Sequence, residues 1–90
     1  MASPVLMYRT RFCPYCIMAG RLLKSKDVKV QAIHVDRQPE LRLEMERLSG
    51  RHTVPQIFVG DNHIGGYSEL AQLERGGELD SLLGTQAGTV

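Results

Sequence analysis

Val5-Leu6-Met7-Tyr8, then Arg9-Thr10-Arg11-Phe12, then Cys13-Pro14-Tyr15-Cys16-Ile17-Met18-Ala19-Gly20 is the stretch on which the fold turns. Four apolar residues behind Pro4 suit a short strand buried on both faces. Pro14 suits the first position of a helix, where its missing N–H costs nothing. Cys16, Gly20 and Leu23, widened by Ala19 and Leu22, then keep helical spacing. Cys13 and Cys16 are the only two cysteines in the chain. At a helix entrance the first sulfur lies among unpaired backbone N–H groups and the positive end of the helix dipole, which favour an anion. A thiolate is the nucleophile of disulfide exchange, and two thiols at this spacing can close and reopen a small ring.

Outward from that stretch, Val28 to Val35 is aliphatic and β-branched enough for a second strand. Two strands joined by a helix are expected to run parallel. A second helix starts at Pro39, with Glu40 in its first turn; Leu41, Met45 and Leu48 mark one face, and Ser49-Gly50 ends it. Gln56 to Val59, a turn at Gly60-Asp61-Asn62, and His63-Ile64 read as a hairpin whose second arm breaks at Gly65-Gly66. A third helix is expected from near Ser68, carrying Leu70 and Leu73 to Gly76-Gly77, with a short helical turn over Leu79 to Leu83. The fold class is α/β, a four-stranded mixed sheet flanked by three or four helices. Residues 1–83 form one domain and 84–90 a flexible tail.

Composition narrows the function. In 90 residues, eleven basic and ten acidic side chains leave a formal charge of +1, which gives no reason to expect nucleic acid or a membrane surface as partner. No apolar run reaches bilayer length, and Met1-Ala2-Ser3-Pro4 lacks the parts of a secretory signal. Two cysteines in one motif are not the spread framework of a secreted mini-protein. The expectation is a reducing, cytoplasmic location and thiols that cycle.

Three motifs carry the chemistry. Cys13-Pro14-Tyr15-Cys16 has a rival reading as half a zinc site. No second CxxC exists, and His34, His52 and His63 are scattered, so no metal is expected. In Thr53-Val54-Pro55, Pro55 is most simply a strand-entry proline; the alternative is a cis peptide bond. That would leave the Val54 backbone groups free to pair with an extended peptide beside the sulfur. In Gly65-Gly66-Tyr67-Ser68-Glu69, Ser68 can cap the third helix, and the helix head can also hold a substrate carboxylate. Phe12, Tyr8 and Phe58 read as core or groove wall. Arg42, Glu44, Glu46 and Arg47 read as a solvated helix face, and the histidines as surface or polar-loop residues.

Together, Cys13-Pro-Tyr-Cys16, Thr53-Val-Pro-Gln-Ile-Phe58 and Ile64-Gly-Gly-Tyr-Ser-Glu-Leu70 resemble the three signatures of the dithiol glutaredoxins, from Val5 to Leu83. The resemblance implies a thioredoxin-like fold, a cis Pro55, and glutathione as reductant with no tightly bound cofactor. Carried over, Cys13 is the attacking thiol and Cys16 the resolving one. Tyr15, Thr53, Val54 and Pro55 would line the glutathione groove, and Gly66, Tyr67, Ser68 and Glu69 would receive its γ-glutamyl end. Two positions depart from the family's pattern. Thr10 stands where many members have lysine, leaving Arg11 or Arg9 to supply that charge, and Ser68 stands where they have aspartate.

The expected activity is glutathione-dependent reduction of protein disulfides and glutathione mixed disulfides by a monomer. The resemblance permits ribonucleotide reductase among its clients. The alternative is a carrier in which Cys13 and glutathione thiols ligate a [2Fe–2S] cluster; Pro14 and Cys16 favour the reductase. A non-catalytic binding module would not need two thiols at a helix head. A protein served by a flavin reductase would not need the Gly65-Gly66 segment.

Overall fold

The apolar run after Pro4 does form a strand, and alternation along it sorts the core into two halves. A computed structural model describes residues 4–84. In it β1 (Val5–Arg9) is followed by α1 (Pro14–Lys24), β2 (Val30–His34), α2 (Pro39–Ser49), β3 (Gln56–Val59), β4 (Asn62–Gly65), α3 (Tyr67–Arg75) and α4 (Leu79–Leu83). The sheet order is β2-β1-β3-β4; β1 and β2 are parallel, and the other two pairings are antiparallel. This is the thioredoxin-like, four-stranded mixed sheet expected, with four helices around it. The tail expected over 84–90 lies, beyond Gly84, outside the described residues.

Val5 and Met7 pack with Ala19 and Leu23 of α1, Leu70 of α3, and Leu79 and Leu83 of α4. On the other side Tyr8 joins Val35 and Met45, with Leu6, Phe58 and Val54 against them. The Tyr8 hydroxyl donates to Glu44 Oε2 at 2.7 Å, tying β1 to α2; burial, then the Glu44 carboxylate, pushes its pKa up to about 12. Lys26, just past α1, holds Glu74 at 2.7 Å and Asp80 at 3.2 Å, so α1, α3 and α4 are also joined at the sheet's far end.

Several local expectations are corrected. β2 is Val30–His34, shorter than the aliphatic stretch. β4 begins at Asn62 and runs through Gly65, leaving a two-residue turn at Gly60-Asp61. The Gly60 N–H is taken by the Pro4 carbonyl at 2.8 Å. Leu48 is 49% exposed rather than part of the buried face of α2. The charged face of α2 is not simply solvated: besides Glu44, Arg42 donates to the His52 carbonyl at 3.1 Å and Glu46 stands 3.4 Å from His52 Nδ1. Phe12, expected as core or groove wall, is 91% exposed, because it sits past the end of β1 on the loop that leads to Cys13.

α3 begins at Tyr67 with Gly66 as its N-cap, so Ser68 is inside the first turn and is not the cap. The reason is Glu69, whose Oε1 accepts the Gly66 N–H at 2.7 Å and removes one orphan donor. Gly65, at φ 116°, has a backbone angle that favours glycine, and a Cβ there would stand 2.7 Å from Glu69 Oε1 and push that side chain off its cap.

Candidate active site

The loop from Thr10 to Phe12 delivers Cys13 to the N-cap of α1 in an extended conformation (φ −111°, ψ 112°), with Pro14 at the helix start. Its sulfur is the cap: the Cys16 N–H donates to Cys13 Sγ at 3.2 Å. The Cys13 carbonyl opens the helical ladder by accepting the Ile17 N–H at 3.0 Å. An N–H at a helix head, pointed at sulfur, is the contact that an anionic sulfur receives. Both cysteines are free thiols, Cys13 partly exposed and Cys16 fully buried. Burial, then the hydrogen bond with Cys13, pushes the Cys16 thiol up to about 12, against the opposing pull of the Thr10 backbone and the Arg9 charge. The two sulfurs are therefore unequal before any substrate arrives.

The Val54–Pro55 peptide bond is cis, which settles the alternative left open by the sequence. The bend brings the Val54 carbonyl to 3.9 Å from Cys13 Sγ. Beyond it opens a cavity of about 230 Å³, bounded by Tyr15 on α1, Arg51 and Thr53 to Pro55 on the cis-proline loop, and Gly66 to Glu69 at the head of α3. The Tyr15 and Tyr67 rings stack across it with centroids 6.3 Å apart. Gly66 stands beside the loop: a Cβ there would lie 3.4 Å from the Pro55 carbonyl, at ordinary contact distance. A larger cavity, about 480 Å³, lies on the other side of Glu69 between β4, α3 and α4, and no cysteine borders it.

Tyr15, Thr53, Val54, Pro55, Gly66, Tyr67, Ser68 and Glu69, all singled out in the sequence, are thus brought together beside Cys13. Arg11 is not. Asp36, after β2, takes the Arg11 backbone N–H at 3.3 Å and sits 3.5 Å from its Nε, which draws the guanidinium to the loop after β2. Arg51 is the groove's cation, and sequence reasoning missed it because it stands outside the motif. Its Nη1 lies 3.2 Å from Glu69 Oε1. The Gly66 N–H first, and the Arg51 guanidinium behind it, hold the Glu69 carboxyl below the ordinary carboxylate range. Gln56 was also missed as more than a strand residue: it is buried with its amide bonded on both sides. The one available signal was a polar residue immediately after Pro55 in an otherwise apolar strand.

A buried thiol under a helix-capping thiol, facing a cis-proline loop on a four-stranded mixed sheet, defines a thiol–disulfide oxidoreductase of the thioredoxin-like class. Comparison with known proteins narrows it. Residues 5–64 match the family model described as Glutaredoxin. Over 80 residues the chain is 52% identical to a glutaredoxin of Pseudomonas aeruginosa, covering 89% of this chain and 95% of that one. The solution structure of glutaredoxin from Brucella melitensis superposes with a TM-score of 0.82 at 45% identity, covering 99% and 95% of the two chains. A buckwheat glutaredoxin–glutathione complex gives 0.84 at 26% identity, covering 91% and 77%. The chain belongs to the glutaredoxin family.

Proposed function

We propose that this glutaredoxin is a glutathione-dependent reductase of protein disulfides and glutathione mixed disulfides, acting as a monomer in the reducing cytoplasm. The observation that carries the reading is a groove with a free thiol at its mouth and the cis-proline backbone along its flank. Glutathione is a short extended peptide with a carboxylate at each end and a thiol between them. Its backbone fits beside Val54 as an added strand would. One carboxylate meets Arg51, and the other meets the head of α3, where the Tyr67 and Ser68 N–H groups have no intrahelical partner. Glu69 offers a partner to the α-amino group. That a buckwheat glutaredoxin of similar fold was solved as a glutathione complex supports glutathione as the ligand.

In the reaction, the Cys13 thiolate attacks the glutathione sulfur of a mixed disulfide. A Cys13–glutathione disulfide forms, and the client leaves as a thiolate, reduced by two electrons. A second glutathione thiolate attacks the bound glutathione sulfur, releasing glutathione disulfide and restoring the Cys13 thiolate. With a protein disulfide, Cys13 forms the mixed disulfide with the client. Cys16 then gives its proton to the departing client sulfur and closes the Cys13–Cys16 bond, which two glutathiones reopen as one glutathione disulfide forms. A thiol held to a pKa of about 12 does not compete for the first attack, and once Cys13 is bonded it stands one helical turn away.

The test is to supply reductants separately and follow disulfide reduction, with a binding isotherm for glutathione alongside. Glutathione with its reductase is expected to sustain turnover, and a thioredoxin-type flavin reductase is not; the reverse result would overturn the reading.

A further inference from the structure

Gln56 is the only polar residue that is fully buried among the described residues. Its neighbours account for every hydrogen-bonding group of the amide. Nε2 lies 2.9 Å from the Thr53 carbonyl and 3.3 Å from Thr53 Oγ1, while Oε1 lies 2.7 Å from His63 Nε2. A carbonyl oxygen only accepts, so the amide nitrogen must face Thr53 and the amide oxygen must face His63. His63 must then donate, which places a proton on its Nε2. Burial, then the Arg51 charge, lowers the His63 pKa against the opposing pull of Glu69. The ring is therefore mostly neutral at neutral pH and is fixed as the Nε2–H tautomer. Its ring also lies against Phe58, with centroids 4.9 Å apart.

The consequence runs through one peptide plane. The Thr53 carbonyl and the Val54 N–H belong to the same peptide unit, and in a trans unit they point in opposite directions. Among the described residues only Val54–Pro55 is cis, so Thr53–Val54 is trans. Holding the Thr53 carbonyl inward on Gln56 turns the Val54 N–H away from the protein, on a loop that borders the groove. Without the His63 donor, the buried amide oxygen would lose its partner, and Gln56 would gain by leaving Thr53 to find another.

We infer that Gln56 and His63 are positioning residues for substrate binding: a relay from β4 through a buried amide that aims the Val54 N–H at the extended glutathione backbone. The inference rests on the glutathione reading of the groove. It assigns a role to two side chains that touch neither sulfur nor substrate.

Two measurements test it. In wild-type protein at neutral pH, the His63 ring nitrogens are expected to give the Nε2–H pattern by 15N NMR; an Nδ1–H tautomer overturns the relay. Kinetics with a glutathionylated peptide supply the second. Q56M and H63F are each expected to raise KM about three- to tenfold, the effect of one misdirected hydrogen bond. Saturated kcat and the rate of Cys13 alkylation should stay close to wild type. H63Q, which keeps a donor near the Nε2 position, should recover most of the affinity lost in H63F. His63 is on an exposed edge strand, so H63F reads the relay even if Q56M folds poorly. Unchanged KM in folded H63F and Q56M, or H63Q as impaired as H63F, overturns the inference alone. Wild type that neither binds nor saturates with the glutathionylated peptide overturns the groove reading, and the relay's role with it.

Discussion

The helices α1 and α3 bring their N-terminal ends to one groove, and they are capped by different means. On α1 the cap is a sulfur, Cys13 Sγ, accepting the Cys16 N–H at 3.2 Å. On α3 it is a carboxylate from inside the first turn, Glu69 Oε1, accepting the Gly66 N–H at 2.7 Å. Each answers the same need, an orphan donor at a helix start. The difference lies in what the cap can do next. A thiolate can leave its hydrogen bond to attack a disulfide, and it exposes one face to the groove's mouth. A carboxylate held also by Arg51 stays where it is. On the proposed reading, one head is reactive and the other grips.

The largest expected effect separates the two sulfurs of the reactive head. C13S should lose reduction of glutathione mixed disulfides by about a thousandfold or more, since no other exposed thiol is available. C16S should retain that activity and lose only protein-disulfide turnover. Assaying both variants on both substrate classes checks this; mixed-disulfide activity that survives in C13S would erase the contrast between the heads.

Next comes the gripping head. R51E, reversing the groove's one lining cation, should raise KM for a glutathionylated peptide about tenfold with kcat little changed, the size of one charge-assisted contact. A matched fall in kcat would mean that Arg51 acts on the reacting atoms instead.

The cap of α3 should show in stability. Because the Glu69 carboxyl titrates below its unfolded value, the unfolded chain binds more protons between the two pKa values. Stability from this group is therefore full above the ordinary carboxylate range and is lost as pH falls through the lowered value. E69Q, which keeps the capping oxygen and loses the charge, should flatten the acid limb of a urea-midpoint profile, and E69A, which removes the cap, should cost about 1 kcal/mol near neutral pH. The smallest effect belongs to S68A, within about 0.5 kcal/mol of wild type, because Ser68 is not the cap. A larger loss in S68A than in E69A would reverse the description of this helix head.

What the sequence revealed depended on how local the cause was. The strand-to-helix passage at Cys13-Pro14 follows from neighbouring residues, and so do the helix starting at Pro39 and the glycine ending it. Eight of the groove residues were found because their motifs are contiguous. Most of the failures involve partners outside the motif. Arg11 is claimed by Asp36, 25 positions on. Gln56 is answered by His63 across the hairpin. Ser68 looked like a cap because the Gly66–Glu69 hydrogen bond depends on where the chain turns at Gly65, a left-handed angle that no side-chain pattern displays. Arg51 belongs to no motif and becomes a groove residue only when the cis bond folds its loop against α3.

The inequality of the two sulfurs is most directly tested by alkylating the reduced protein at neutral pH with a limiting iodoacetamide pulse and mapping the adduct by mass spectrometry. Cys13 should carry essentially all of the label, with Cys16, fully buried and held to a pKa of about 12, left untouched. Equal labelling of the two cysteines, or labelling of Cys16 first, would contradict the division of attack and resolution between them.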